Sequence, residues 1–326
     1  MLRWTELSQI PPGYGPSVVT LGNFDGVHKG HQAVLSAVVK RAHGQPGSDG
    51  SGDAHAVAVT FEPHPVAVLH PERAPQIITP HEQRLELLSA TGLDAVLVMD
   101  FTREFAQWTP ERFVVEVFVK ALGAAVVVVG EDTRFGVRNS GDVDALRRLG
   151  AEHGFEVLSL PDIGEGGRWS SSRVRALVTA GDVAGATEIL GRPHRVSGEV
   201  VHGDHRGREL GYPTANLCRN SAGLIPADGV YAGRLVRPSL SDRDPDHNLP
   251  AAISIGTNPT FDGTDRRVEA YVLDRTDLEL YGETVVFEFL QRLRATEKFD
   301  TIDALVEQMA GDVERCRTVL SAIVAS

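Results

Sequence analysis

Apolar and polar positions along the chain follow two rhythms, and the change between them comes once. In the first part, short β-branched runs end at glycine or proline and give way to segments whose apolar residues recur every three or four positions. Val18 to Leu21, Ala56 to Phe61, Ala124 to Val129 and Phe155 to Leu160 read as buried strands. His28 to about His43, Thr109 to Gly123, Asp142 to His153 and Ser170 to about Ala180 read as helices. Thr109-Pro110-Glu111 is a well-formed helix start, with a capping hydroxyl, a proline in the first turn and an acid beside the dipole. Strands alternating with helices predict an α/β domain built on a doubly wound parallel sheet. Near Gly191-Arg192-Pro193 the helical spacing stops. Short alternating strands follow at Arg195 to His202, Gly229 to Val236, Ala251 to Ile255, Val268 to Leu273 and Thr284 to Leu290, with a polar loop at Pro238 to Pro250. That pattern predicts an all-β barrel. A last helix is expected from Asp300, with Asp303 in its first turn and Ile302, Leu305, Val306, Met309 and Val313 along one side. The expected domains are therefore 1–186 and 187–326.

Composition narrows the class. A chain of 326 residues can bury a sizeable core in each of two domains. Its formal charge of −12 argues against general nucleic-acid binding, which needs a basic face, and leaves room for small anions held by local Arg and His. Cys218 and Cys316 lie far apart without metal-ligand spacing, so both are expected as core residues rather than a disulfide or zinc pair. Met1 to Gly15 lacks the apolar stretch of a signal peptide, and Ala124 to Val129 is far too short to span a bilayer. A cytoplasmic protein with no membrane or nucleic-acid partner is expected, and a homo-oligomer is left open. Gly44 to Asp53 has linker composition and reads as a surface insertion.

The chemistry of the first half gathers at strand ends. Gly22-Asn23-Phe24-Asp25-Gly26-Val27-His28-Lys29-Gly30-His31 reads as strand, tight loop and helix start. His28 and His31, three apart, lie on one helix face beside unpaired backbone N–H groups, which attract anions. Gly26 and Gly30 let a nucleotide approach the backbone. A histidine at a helix start can equally be a cap, but the pair, the glycines and the preceding strand together point to a nucleotide site. Phe61 ends the next strand, and Glu62-Pro63-His64-Pro65 forms a loop there; His64 is either a further ligand-facing residue or part of a structural turn. Gly130-Glu131-Asp132 follows a third strand in the same way. Ser170-Ser171-Ser172-Arg173-Val174-Arg175 opens a helix. Serines cap well, yet arginines in a first turn oppose the dipole, and a bound polyphosphate explains them better.

In the second half the sharpest segment is Gly203 to Leu217, containing Arg208, Gly211 and Gly211-Tyr212-Pro213-Thr214-Ala215-Asn216-Leu217. Its glycines and basic residues suit phosphate, though no P-loop Gly-Lys-Ser/Thr follows. Pro213 favours an extended chain, so Thr214 and Asn216 present two neutral oxygens on one face, a set suited to Mg²⁺; an ordinary turn and edge strand is the alternative.

The first loop resembles the HxGH signature of nucleotidyltransferases in its flavin-synthesising form, and Ser170 to Arg175 resembles that family's second, ATP-phosphate signature. Trp169 and Thr133 depart from the family's more usual Ile and Phe. Gly211 to Leu217 resembles the riboflavin kinase signature, and Gly229-Val230-Tyr231, Ser254 to Phe261, Val268 to Tyr271, Leu280-Tyr281-Gly282, Arg294 and Phe299 match further parts of it in order. The arrangement is similar to the bacterial bifunctional riboflavin kinase/FAD synthetase family. The resemblance implies a Rossmann-like nucleotidyltransferase domain followed by a kinase barrel, with ATP, riboflavin and FMN as substrates and Mg²⁺ as cofactor. It implies roles in adenylyl transfer for His28, His31 and Arg175, and a general base at Glu269. Asn23, Phe61, His64, Asp132, Ser171, Ser172, Gly203, Arg208, Gly211 and Arg294 would contact nucleotide or flavin, and Thr214 and Asn216 would hold the metal. Two other readings compete: a kinase whose first domain only binds nucleotide, and a non-catalytic flavin sensor. Intact His28, His31 and Arg175 weigh against the former. Glu269 beside Thr214 and Asn216 weighs against the latter.

Overall fold

A computed structural model describes residues 1–44, 54–161, 164, 168–203, 210–260 and 263–324. Arg208, Phe261 and nearly all of the 44–53 insertion lie outside the described residues. The rest form two compact units, Met1–Gln76 with Pro80–Ser170 and Ile77–Thr79 with Ser171–Ser326. Each is taken by itself.

The first unit is built on a six-stranded sheet comprising β1 (Leu2–Trp4), β2 (Ser17–Leu21), β3 (His55–Glu62), β4 (Ala95–Asp100), β5 (Ala124–Gly130) and β6 (Glu156–Leu160). Its order is β1-β4-β3-β2-β5-β6, and neighbouring strands pair parallel. Successive side chains point to opposite faces of a strand, so each strand feeds two cores. Val18, Ala58, Val96 and Val128 pack with Leu35 and Val38 of α1 (Lys29–Ala42) and with Leu85 and Leu88 of α3 (His81–Ser89); α2 (Pro65–Leu69) lies between those helices in the chain. Val19, Val59, Leu97 and Val127 face the other way, toward Phe113 of α4 (Pro110–Phe113) and Leu146 and Leu149 of α5 (Val143–His153). This is the doubly wound sheet the pattern predicts. From β2 the chain steps outward through β3 and β4, then returns to β5 on the opposite side. That reversal opens a crevice at the carboxyl ends of β2 and β5, where such sheets bind ligands.

β1, β4, α2 and α3 were not anticipated from the pattern. The continuous apolar run of β4 cannot be told from a buried helix by periodicity. The start at Thr109 forms as expected, its Oγ1 accepting the Arg112 N–H at 3.2 Å. Beyond Phe113 the helix widens into π-helical turns over Val114–Ala121.

The second unit is a closed antiparallel barrel of β7 (His194–Val201), β8 (Thr214–Leu217), β9 (Gly229–Val236), β10 (Asn248–Thr260), β11 (Gly263–Val272) and β12 (Thr284–Arg294), in the order β10-β11-β8-β7-β12-β9. Val196, Leu217, Leu235, Ile253, Val268, Ala270 and Phe287 fill it. Two helices belong with the barrel by contact, α6 (Ser171–Ala180) and α7 (Val183–Leu190), so the compact units part earlier in the chain than the expected 186/187 boundary. The reason is packing. Val183 is fully buried in the barrel's core, and Arg292 of β12 donates to the Ala180 carbonyl at 3.4 Å. The final helix, α8 (Ile302–Val324), starts two residues after the expected Asp300, with the Thr301 hydroxyl accepting the Ala304 N–H. Its buried side is Val313, Cys316 and Leu320, whereas Ile302, expected on that side, is 67% exposed. Cys316 is buried as expected; Cys218 is only half-buried, and both are free. No helix among the described residues is long and apolar enough to cross a membrane.

Candidate active site

Two sites emerge, one in each unit. The first begins where β2 ends. The Gly22 N–H still pairs with the Val59 carbonyl at 3.0 Å, and then the chain bends sharply. Phe24 (φ 49°) and Val27 (φ 39°) both adopt left-handed backbone, and the Val27 N–H closes the turn on the Phe24 carbonyl at 3.0 Å. For a β-branched residue this is a strained conformation that surrounding structure must impose. Burial imposes it here, since Phe24 and Val27 sit in the core between the sheet and α1. The strained turn delivers His28 to the N-cap of α1, where its Nδ1 accepts the His31 N–H at 3.3 Å. The capping reading is thus correct as geometry, and it fixes the chemistry. With Nδ1 accepting, the proton of the neutral ring sits on Nε2. The His28 and His31 rings stack at 3.7 Å, and Phe24 meets His31 edge-on at 5.3 Å. Burial first, and His28 second, push the His31 pKa well below the usual 6.5, so the stacked pair is spared like-charge repulsion. His31 Nδ1 is buried and meets no hydrogen-bond partner among the described residues. A Cβ on Gly30 would come within 3.1 Å of the His28 ring and press it from its place over the helix start by a few tenths of an ångström.

Parallel strands bring three loops to the same edge of the sheet. His64 follows β3, caps α2, and accepts the Val66 N–H on Nδ1 at 3.2 Å. Asp132 follows β5 and pairs with Arg168. Next to Arg168, Trp169 lies under the Lys29 ammonium, 5.4 Å from its ring centroid, with its carbonyl near Gly30. Asn23 is held through its carbonyl, which accepts from Thr60 Oγ1 and from Arg84, each at 3.3 Å.

The second site lies on the side of β8 and β11 that faces away from the barrel's core. Ala215, Leu217, Val268 and Ala270 turn inward. Alternation therefore sends Thr214, Asn216 and Glu269 to the other side. Register does the rest: Glu269 stands opposite Asn216, with Ser254 of β10 opposite Glu269 on its far side. Thr214 Oγ1 donates to Glu269 Oε2 at 3.2 Å, and Asn216 Nδ2 lies 3.3 Å from Thr214 Oγ1. Gly203 presses against the Asn216 amide, which a Cβ there would approach within 2.7 Å. Gly211 needs its φ of 86° to turn the chain into β8. A hydroxyl, an amide oxygen and a carboxylate are the hard oxygen donors that Mg²⁺ accepts, so this set fits that ion. No cluster of three or more His, Cys, Asp or Glu side chains able to hold a metal occurs among the described residues. Most ligands would then come from phosphate and water.

Comparison with known proteins matches each half of the chain to a family. A family of FAD synthetases matches residues 12–174, and a family of riboflavin kinases matches residues 190–320. The bifunctional riboflavin kinase/FMN adenylyltransferase of Escherichia coli strain K12 is 35% identical over 94% of this chain and 93% of its own. The protein of the same description from Listeria monocytogenes is 33% identical, over 97% and 93%. The chain belongs to the bifunctional riboflavin kinase/FMN adenylyltransferase family. A crystal structure from Streptococcus pneumoniae, described as a macrolide-efflux protein, aligns with a TM-score of 0.84 and 33% identity, covering 97% of this chain and 98% of that one.

Within this family member the candidate residues fall into groups. Asn23, His28 and His31 share one loop and helix start; Thr214, Asn216 and Glu269 share one face of β8 and β11, with Gly203 against Asn216. Ser171, Ser172 and Arg175 open α6, which is grouped with the second unit. Phe61 is a core residue, 8% exposed and surrounded by Phe101, Phe105 and Phe113. Arg294 pairs with the buried Asp312 of α8 at 2.7 Å and donates to the Ala295 carbonyl, so its guanidinium ties that helix to β12. Arg168 and Arg84 were not singled out in the sequence, and Ser254, part of a matching segment, was given no place beside Glu269. Only a strand register, a loop pairing and a helix's depth reveal them.

Proposed function

We propose that the two reactions are divided along the chain, with phosphorylation on the barrel's Thr214–Asn216–Glu269 face and adenylyl transfer at the His28 loop. The activities are the family's own: ATP phosphorylates riboflavin to FMN, and a second ATP adenylylates FMN to give FAD and pyrophosphate. Two consecutive, non-overlapping family matches, 12–174 and 190–320, carry the pairing of activities.

In the kinase step Glu269 orients the ribityl 5′-hydroxyl and accepts its proton as the oxygen bonds to the γ-phosphorus of ATP and ADP leaves. In a loose transition state orientation matters more than basicity, which suits a carboxylate. The Thr214 hydroxyl hydrogen-bonded to Glu269 fixes the direction of that carboxylate. Thr214 and Asn216 would hold Mg²⁺, which when bound neutralises phosphate charge. Gly203, Gly211 and Arg208 are assigned to the nucleotide, and Arg294 to positioning the end of β12.

In the adenylyl step an FMN phosphate oxygen bonds to the α-phosphorus of ATP and pyrophosphate departs. No covalent nucleophile of the protein is needed; alignment and charge neutralisation suffice. His28 offers its Nε2–H to the phosphates, and the neutral His31 ring behind it sets its plane. Asn23, His64 and Asp132 line the same sheet edge and are assigned to substrate positioning. Ser171, Ser172 and Arg175, which carry the family's second signature, are assigned to the triphosphate. Both steps consume ATP, which supports a cytoplasmic setting, and a net charge of −12 supports small-molecule partners over nucleic acid.

The test is incubation of the purified protein with riboflavin, ATP and Mg²⁺, followed by chromatography of the flavins. Riboflavin should pass through FMN to FAD, and chelation of the metal should stop the first step. Failure to form FMN, or failure to convert supplied FMN, would remove the corresponding half of the proposal.

A further inference from the structure

Arg84 is the largest fully buried side chain in the described residues, 1% exposed, and it is charged. It extends from α3 to the ends of two sheet strands. Its Nη1 donates to the Asn23 carbonyl at 3.3 Å, and its Nη2 donates to the Phe61 carbonyl at 3.4 Å and to Glu62 Oε2 at 2.5 Å. Its Nε is buried without a hydrogen-bond partner among the described residues. Burying a guanidinium with one N–H unmade is a poor way to gain stability, because an apolar side chain of the same volume avoids the desolvation cost. The position of its partners supplies a better reason. Asn23 is the residue immediately before the strained turn from Phe24 to Val27, which ends at His28. The other end of that turn is also tied, with Gln32 Nε2 donating to the Val27 carbonyl at 2.8 Å. A turn with two left-handed non-glycine residues persists only where its surroundings over-determine it.

We propose that Arg84 is a positioning residue for adenylyl transfer: by clamping the Asn23 carbonyl to the end of β3, it holds the strained turn that aims His28 Nε2 at the reacting phosphates. The inference rests on the assignment of adenylyl transfer to the His28 loop. A misaimed donor costs transition-state stabilisation more than ground-state binding, so the signature is a fall in kcat with little change in KM for ATP or FMN.

Arg84→Met keeps the volume and removes every donor. Arg84→Lys keeps the charge but cannot span both carbonyls with a planar fork. The Met variant should convert supplied FMN to FAD with kcat lowered about a hundredfold, the scale of a small misplacement of reacting groups. The Lys variant should recover part of that loss. Phosphorylation of riboflavin should be unchanged in both. All three tryptophans, Trp4, Trp108 and Trp169, lie in the first unit, so tryptophan emission counts the folded fraction of that unit in the same samples. Wild-type kcat in either folded variant overturns the proposal. So does a loss of FAD synthesis that only tracks the loss of folded first unit, which would make Arg84 a stabilising residue and nothing more. If the unaltered protein makes FAD but His28→Ala makes it equally well, the underlying assignment has failed instead.

Discussion

As proposed, the two sites meet one problem, holding ATP phosphates against a flavin-side oxygen, by opposite uses of the backbone. In the first unit the sheet supplies only an edge, and the working groups come from a turn bent into left-handed backbone at Phe24 and Val27. In the barrel β8 and β11 pair without a register shift, and Thr214, Asn216 and Glu269 meet through ordinary alternation and register. A bent turn can put a histidine ring, a helix N-terminus and backbone donors in one place, but it needs buried anchors such as Phe24 and Val27 to hold it. A strand face is held by its ladder hydrogen bonds, and its price is that each side chain can point in only one direction. The first site should therefore be sensitive to remote changes, and the second mainly to changes in its own side chains.

The largest expected effect breaks the comparison at its first term. His28→Ala removes both the Nε2–H donor and the cap of α1. FAD synthesis from supplied FMN should fall by about a hundred- to a thousandfold, the scale of losing one preorganised donor. Riboflavin phosphorylation should continue, so FMN accumulates. Flavin chromatography over a time course checks both, and undiminished FAD would refute the assignment.

Glu269→Gln makes the reciprocal cut. The amide keeps the shape of the strand face and a hydrogen-bonding partner for Thr214 but accepts no proton. FMN formation should drop about a hundredfold, at the lower end for a general base, while conversion of supplied FMN to FAD is retained. An unchanged rate of phosphorylation would return Glu269 to the role of an ordinary polar strand residue.

The same contrast decides what could be read from the residues alone. The His28 loop was legible because strain and close approach leave glycines and paired histidines in the sequence itself. Thr214 and Asn216 were legible as a pair because period two is the property of a strand. Glu269 read alone is only the polar member of an alternating pattern; its meaning is set by register against Asn216, a relation between distant segments. Arg84 was hidden for a related reason. In His81-Glu82-Gln83-Arg84-Leu85 it looks like one more charge on a solvated helix, and only the depth of α3 against the sheet buries it. For Phe61 and Arg294 the structure adds packing roles that the sequence does not show. Both were expected to contact nucleotide or flavin; Phe61 is also a core ring, and Arg294 also anchors α8. The compact units part before Ser171, earlier than the 186/187 boundary expected near the change of pattern, because local pattern does not say which core the preceding segments cover.

Val183 tests that last point. It is fully buried among barrel residues, although it precedes the change of pattern. Val183→Ala should destabilise the barrel by about 2 kcal/mol, from lost transfer energy and the remaining cavity. Loss of kinase activity on heating should shift to lower temperature, while the tryptophan transition of the first unit stays in place. The reverse pattern would show that α7 serves the first unit.

The smallest effect sharpens the comparison through pH. His31 is held neutral in the fold, its pKa pushed well below 6.5 by burial and by His28. In the unfolded chain its pKa returns to the ordinary value. Below about pH 6.5 the unfolded state therefore binds a proton that the folded state refuses, and unfolding becomes easier as the pH falls. Above that pH both states are neutral at this position and the group contributes no slope. The greatest slope one such group can give is about 1.4 kcal/mol per pH unit. Urea unfolding followed by tryptophan emission, from about pH 7.5 down to about 5.5, reads the first unit alone, since that unit holds all three tryptophans. Other titrating groups contribute to the absolute curve, so the comparison is with His31→Gln, which keeps a polar side chain but cannot titrate. The wild type should lose stability faster than the variant as the pH falls, with the two slopes converging above 6.5. Parallel curves throughout would mean that His31 accepts its proton in place, and the stacked pair would then tolerate charge.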